Sequence, residues 1–248
     1  MTGMEKVYIL GIPVDRTDME GALARAAALL DTIGTSTVYT PNSEMVVNAV
    51  NDKGFMEILK SADLMVPDGI GLVLASRIYG RPLPERVTGF DLMTRILEML
   101  DQKRGSVYLL GGRPGIARRA ADNISKRFRG LEIKGTFHGY FNDEDVLGIV
   151  ERINSSGAEV LFVALGSPKQ EMWIDSNRKR LNVRLAMGVG GSFDVLAGEV
   201  TRAPVFFRKT GLEWFYRLVT QPSRAARMLA LPVFVFKVLK DRCGRDGR

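Results

Sequence analysis

The sequence predicts an α/β domain built on a mainly parallel sheet sandwiched by helices, followed by a carboxyl-terminal appendage of different character. Three observations carry that expectation. Short apolar runs alternate with stretches of helical period up to about residue 195. Each run is bounded by Gly, Pro, Asn or Asp, the residues that end strands and open turns. After Asp194 the alternation stops, and Arg202, Pro204, Arg208 and Lys209 lead into Trp214, Phe215 and Tyr216. With 46% hydrophobic and 25% charged residues in 248, the chain has enough apolar surface for a substantial core.

Taken in order, the opening MTGMEKVYILGIPVD carries no basic leader and no small-residue cleavage site, so the expectation is a chain that stays in the cytoplasm. Residues 7–12 read as the first strand. Thr17-x-x-Glu20 reads as a capping box for a first helix that aligns Leu23, Ala27 and Leu30 on one face. Further strands are predicted over 37–40, 64–66, 107–110, 132–136, 160–165 and 184–187, with helices over 91–100, 115–128, 143–154 and 169–180. The pattern is Rossmann-like, with a domain over residues 1–196 and the appendage over 197–248.

Charge separates these two parts. Residues 1–200 hold 24 Lys and Arg against 25 Asp and Glu, whereas residues 201–248 hold 11 against 3. A basic tail suits either nucleic acid or an anionic membrane surface, and its apolar neighbours decide between them. Residues 228–239 are apolar at 11 of 12 positions, short of the roughly 20 needed to span a bilayer and interrupted by Pro232. The expectation is a helical appendage that associates with the inner membrane face, with no nucleic-acid partner. The single cysteine, Cys243, cannot form an internal disulfide.

Polar clusters stand at four predicted strand ends, where open parallel sheets place ligands. They are TPNSE (40–44), VPDG (66–69), GSPKQE (166–171) and GVGGSFD (188–194). Glycines allow close approach of the backbone to a phosphate, and a following helix offers N–H groups to it. Such residues also terminate strands without any ligand, so a single cluster decides little.

With RVTGFD (86–91) and LLGG (109–112), these blocks in this order resemble the TagA/WecG/CpsF glycosyltransferases over nearly the whole chain. The resemblance implies an inverting, metal-independent transfer with no cofactor. Its donor would be a UDP-sugar, UDP-ManNAc first and its uronic acid or another UDP-hexose as alternatives. Its acceptor would be the 4-hydroxyl of GlcNAc on undecaprenyl diphosphate, reached from the cytoplasmic face of the membrane. A homo-oligomer is left open.

Inversion by single displacement needs a base for the acceptor hydroxyl, and Asp68 is the candidate, its alternative being the cap of a helix starting at Ile70. Thr40, Asn42 and Gln170 match substrate-contacting positions, and Arg86, in a mobile-looking stretch after Arg81, suits diphosphate charge. Gly111, Gly112, Gly166, Gly190, Gly191 and Asp194 are expected at the nucleotide, with Tyr140 stacked on its base. Arg217, Arg224 and Arg227 match appendage arginines that would reach a diphosphate, while Phe215, Leu229 and Phe234 are expected in lipid. Each has a plainer alternative as a turn, cap, salt bridge or solvated face.

Two features mislead. Asp143 and Asp145 have the Asp-x-Asp spacing of a cation site but open a helix, where the dipole favours acids. The lone histidine, His138, has no companions for a metal. An NAD-dependent oxidoreductase is the rival reading, but in G-x-G-x-x-G the first glycine would be Leu110 in one cluster and the last Phe193 in the other. A non-enzymatic membrane module, the second rival, leaves the polar strand ends unexplained.

Overall fold

The structure is a computed structural model that describes residues 4–204, 206–207, 216 and 230–246. Six parallel strands form one sheet: β3 (Ser36–Tyr39), β4 (Leu64–Met65), β5 (Ser106–Gly111), β6 (Glu132–Phe137), β7 (Val160–Ala164) and β8 (Leu185–Gly188), in the order β4-β3-β8-β7-β5-β6. The fold is the predicted Rossmann-like α/β class.

The first predicted strand is corrected. Residues 7–12 belong to a separate antiparallel hairpin, β1 (Lys6–Ile9) and β2 (Ile12–Asp15). Leu10 and Gly11 both have left-handed backbone, φ 49° and 88°, which makes the two-residue turn that a continuous apolar run conceals. Asp15 ends the hairpin and reaches the short edge strand β4, its Oδ2 accepting from Met65 N–H at 2.7 Å. Burial holds the Asp15 carboxyl above the usual carboxylate range, against the opposing pull of that N–H.

Among the described residues, the helices whose bounds are defined are α1 (Met19–Leu29), α2 (Ser43–Asn51), α3 (Lys53–Lys60), α4 (Ile70–Ile78), α5 (Gly89–Lys103), α6 (Ile116–Arg127), α7 (Val146–Ser156), α8 (Lys169–Asn177), α9 (Ser192–Leu196) and α10 (Ala230–Asp246). The cap of α1 is Asp18, accepting from Gly21 N–H at 2.8 Å, one residue later than the capping box predicts. A short 3-10 turn over Asp143–Asp145 precedes α7, and Asp145 Oδ2 accepts from Asn142 N–H at 3.0 Å.

Period-2 alternation divides the core between the two faces of the sheet. Tyr39, Tyr108, Leu110, Leu161, Val163 and Ala186 face one cluster, shared with the hairpin and α2, α3, α7 and α8. Val38, Val107, Leu109, Phe162, Leu185 and Met187 face the other, shared with α1, α5 and α6.

The last helix, α10, lies against α2 and α4 and completes the first cluster. Phe234 and Val238 are both 1% exposed, and Tyr79 Oη donates to Asp241 Oδ2 at 2.8 Å. This corrects the expectation for Phe234, which is a core residue; Val233, Val235, Phe236 and Leu239 face outward instead. Among the described residues no helix is long and apolar enough to cross a membrane.

Candidate functional site

The strand order lines up six turns along the carboxyl edge of the sheet. They are VPDG after β4, TPN after β3, Val189-Gly-Gly after β8, GSPKQE after β7, Gly111-Gly112 at the end of β5 and His138-Gly-Tyr-Phe after β6. At roughly 4.8 Å per strand, β4 and β5 stand about 20 Å apart. Between β5 and β7 the connections diverge, one running to β6 and the other to β8, which makes a topological switch point.

At the β4 end the turns are laced together. Val66 N–H donates to Tyr39 O at 3.1 Å, Asp68 N–H to Pro41 O at 3.0 Å, and Val87 N–H to Pro67 O at 3.0 Å. Arg86 lies in a segment pinned further by Arg81 N–H on Ser76 O at 3.0 Å and Leu83 N–H on Ser76 Oγ at 2.9 Å.

Asp68 is half-buried, and its Oδ2 accepts from Gly89 N–H, the first of α5, at 3.0 Å. It does not cap the helix that begins at Ile70; Gly69 occupies that position without any side-chain cap. A Cβ at residue 89 would come within 2.8 Å of Thr40 Oγ1 and 3.3 Å of Asp68 Oδ2, so glycine there leaves room for the two oxygens to converge. Asn42 is the cap of α2, its Oδ1 accepting from Met45 N–H at 3.0 Å.

At the other end the backbone itself forms the surface. Gly112 N–H donates to Ala164 O at 2.9 Å, and a Cβ on Gly111, whose φ is 130°, would overlap that carbonyl. In the middle of the edge, after β7 and β8, Gly166 and Gly190 also have left-handed backbone, and Gly191 is exposed beside Gly190. Tyr140 is 67% exposed, its N–H donating to His138 Nδ1 at 3.3 Å, so the ring stands clear of its own domain. Lys169 Nζ lies 5.5 Å from the Phe141 ring centroid. Asp194 is partly exposed in the first turn of α9, after its cap Gly191.

Gln170 is buried between the two ends. Its Oε1 accepts from Gly190 N–H at 3.0 Å and its Nε2 donates to Glu171 Oε1 at 2.7 Å. Glu171 is 1% exposed, and burial pushes its carboxyl above the usual range. Sequence reasoning names Gln170 and passes over Glu171, although the same GSPKQE block contains it. Gly89 is likewise missed inside RVTGFD.

Arg217, Arg224, Arg227, Phe215 and Leu229 lie outside the described residues. Among the described residues no group of three or more His, Cys, Asp or Glu is placed to hold a metal.

The chain matches the family described as the glycosyl transferase WecG/TagA/CpsF family over residues 7–248. It is 40% identical over 203 residues to an N-acetylglucosaminyldiphosphoundecaprenol N-acetyl-beta-D-mannosaminyltransferase of Bacillus spizizenii, covering 82% of this chain and 78% of that protein. A protein of that name from Bacillus subtilis is 34% identical over 206 residues, 83% and 80% of the two chains. One from Staphylococcus aureus is 33% identical over 239 residues, 96% and 93%.

Proposed function

The chain belongs to the WecG/TagA/CpsF glycosyltransferase family, and from that premise we propose that it moves N-acetylmannosamine from UDP-ManNAc to the 4-hydroxyl of GlcNAc on undecaprenyl diphosphate. The observation that carries this reading is the division of the sheet edge. A carboxylate and a hydroxyl, Asp68 and Thr40, converge at the β4 end, and glycine turns with an exposed tyrosine stand at the β5 and β6 end.

In the proposed reaction the Asp68 carboxylate takes the proton of the acceptor hydroxyl as that oxygen attacks the anomeric carbon. The bond from that carbon to the β-phosphate oxygen breaks on the opposite face, its electron pair leaves with UDP, and the configuration inverts. The Gly89 N–H fixes the orientation of the base. Gly111, Gly112, Gly166, Gly190 and Gly191 offer backbone to the diphosphate, Tyr140 stacks on uracil, and Asp194 accepts from the nucleoside. Arg86 and Lys169 supply positive charge for the leaving group without a metal, and Arg217, Arg224 and Arg227 of the appendage add to it. Thr40 and Asn42 border the reacting sugars, and Gln170 aims the Gly190 turn.

The appendage over residues 197–248 serves as the membrane contact of a peripheral protein on the inner leaflet. The outward row of Val233, Phe236 and Leu239 supports this, as do Leu74 and Ile78 exposed on the neighbouring α4 and the excess of 11 basic over 3 acidic residues beyond position 200.

Incubation with a short-chain lipid-diphosphate-GlcNAc and a panel of UDP-sugars, read by product mass, tests donor and acceptor together. Asp68→Asn is expected to lower turnover by roughly a hundredfold to ten-thousandfold while UDP affinity holds. Parental turnover in that variant would remove Asp68 as the base.

A further inference from the structure

The Gly89 N–H that holds Asp68 belongs to a helix turn that is itself fastened from the root of the appendage. Thr88 caps α5, with its Oγ1 accepting from Asp91 N–H at 3.1 Å and donating to Asp91 Oδ2 at 2.6 Å. That same Oδ2 accepts from Arg202 Nη2 at 2.6 Å. The Arg202 guanidinium carbon lies 4.5 Å from the centroid of the Phe90 ring, and its side chain is 20% exposed. A planar cation held between an aromatic face and a carboxylate is oriented in two directions at once, which a surface ion pair between flexible chains is not.

We propose that Arg202 is a positioning residue for the transfer reaction, locking the first turn of α5 so that Gly89 N–H holds the Asp68 carboxylate at the angle the acceptor requires. The inference rests on the reading of Asp68 as the base. Its path is short: guanidinium to Asp91, Asp91 to the Thr88 cap, and the cap to the N–H that Asp68 accepts. Arg202 stands six residues beyond Leu196, the last residue of α9, so the lock ties the start of the appendage to the catalytic turn. None of these contacts lies among the glycine turns assigned to the nucleotide, so the effect belongs to the chemical step and not to donor binding.

The test uses the full-length chain with a soluble lipid-diphosphate-GlcNAc acceptor and a UDP-sugar donor. Arg202→Ala is expected to lower kcat by about tenfold to a hundredfold, the range that a small misplacement of a catalytic group produces, with KM for the donor within about twofold. Arg202→Lys restores the charge without the stacked plane, so its kcat is expected between those of the alanine variant and the parent. Asp91→Asn is expected to reproduce the kcat loss, and combining it with Arg202→Ala to add little, because both break one link. Parental kcat in Arg202→Ala, or a loss confined to donor KM, overturns the proposal. If the alanine variant does not fold, the lysine variant carries the same criterion with a smaller loss. Inactive Asp68→Asn beside fully active Arg202→Ala defeats the lock alone; fully active Asp68→Asn defeats the base and the lock together.

Discussion

Glu171 shows how one residue of the site couples to its neighbours. It is 1% exposed, accepts from Gln170 Nε2, and so leaves Gln170 Oε1 to face Gly190 N–H. A buried carboxyl resists ionisation, and its pKa is raised above the ordinary value. The native state therefore holds this proton more tightly than the unfolded chain, whose glutamates titrate near about 4.3. The stabilisation is fully present below that value and is lost as pH rises through the raised native one. Glu171→Gln keeps an acceptor for Gln170 and removes the titration. Thermal melts from about pH 4 to 7 should show the gap in Tm moving steadily in the variant's favour; a gap independent of pH would refute this. At this scale the sequence is least legible. Arg202 and its partner Asp91 are 111 residues apart, a separation no periodicity reveals, and a Glu in the first turn of a helix reads as solvated until the sheet edge closes over it. Asp68 is singled out in the sequence by the resemblance alone, and nothing in the sequence points to the Gly89 N–H that it accepts.

Among the elements, the last helix offers the sharpest contrast between pattern and position. The apolar density of residues 230–239 hides a two-sided helix, since Phe234 and Val238 face α2 and α4 while Phe236 and Leu239 face outward. Phe234→Ala should destabilise the fold by about 3 kcal/mol, the low end for truncating a buried aromatic. Phe236→Ser should leave thermal stability nearly unchanged and reduce retention on anionic liposomes. Equal effects of the two on stability would mean that the outward face is also core. Most strands of the main sheet were legible as short apolar runs bounded by turn residues, while the polar edge strand β6, with Glu132 and Lys134, was legible chiefly from its place between two helical stretches. The hairpin was not, because Leu10 and Gly11 turn the chain without a polar break. Helices α2 and α3 went unpredicted, and α4 entered only as the helix capped in the alternative role for Asp68: short helices follow immediately on turns whose polar residues dominate the local pattern, such as Asn42 and Asp52, which cap α2 and α3.

For the whole molecule, catalysis is proposed to use protein cations in place of a metal, so activity should survive excess EDTA. Loss on chelation with rescue by Mn²⁺ would return Asp143 and Asp145 to consideration, although Asp145 is engaged with Asn142 N–H at 3.0 Å. The fold class was legible across the chain because a parallel sheet leaves the same signature at each repeat of strand and helix. The order in which the strands lie was not, and that order has a consequence for inheritance. The residues proposed for the acceptor and base occupy positions 40–91, whereas the turns proposed for the nucleotide occupy 111–194. On that proposal most mutations in one stretch bear on one substrate, Arg86 and Arg202 being the two residues that cross the division. If the proposed division holds, a lineage would adopt a new sugar donor by altering the later turns while the earlier stretch still serves the ancestral lipid, so that surface polymers diversify one building block at a time.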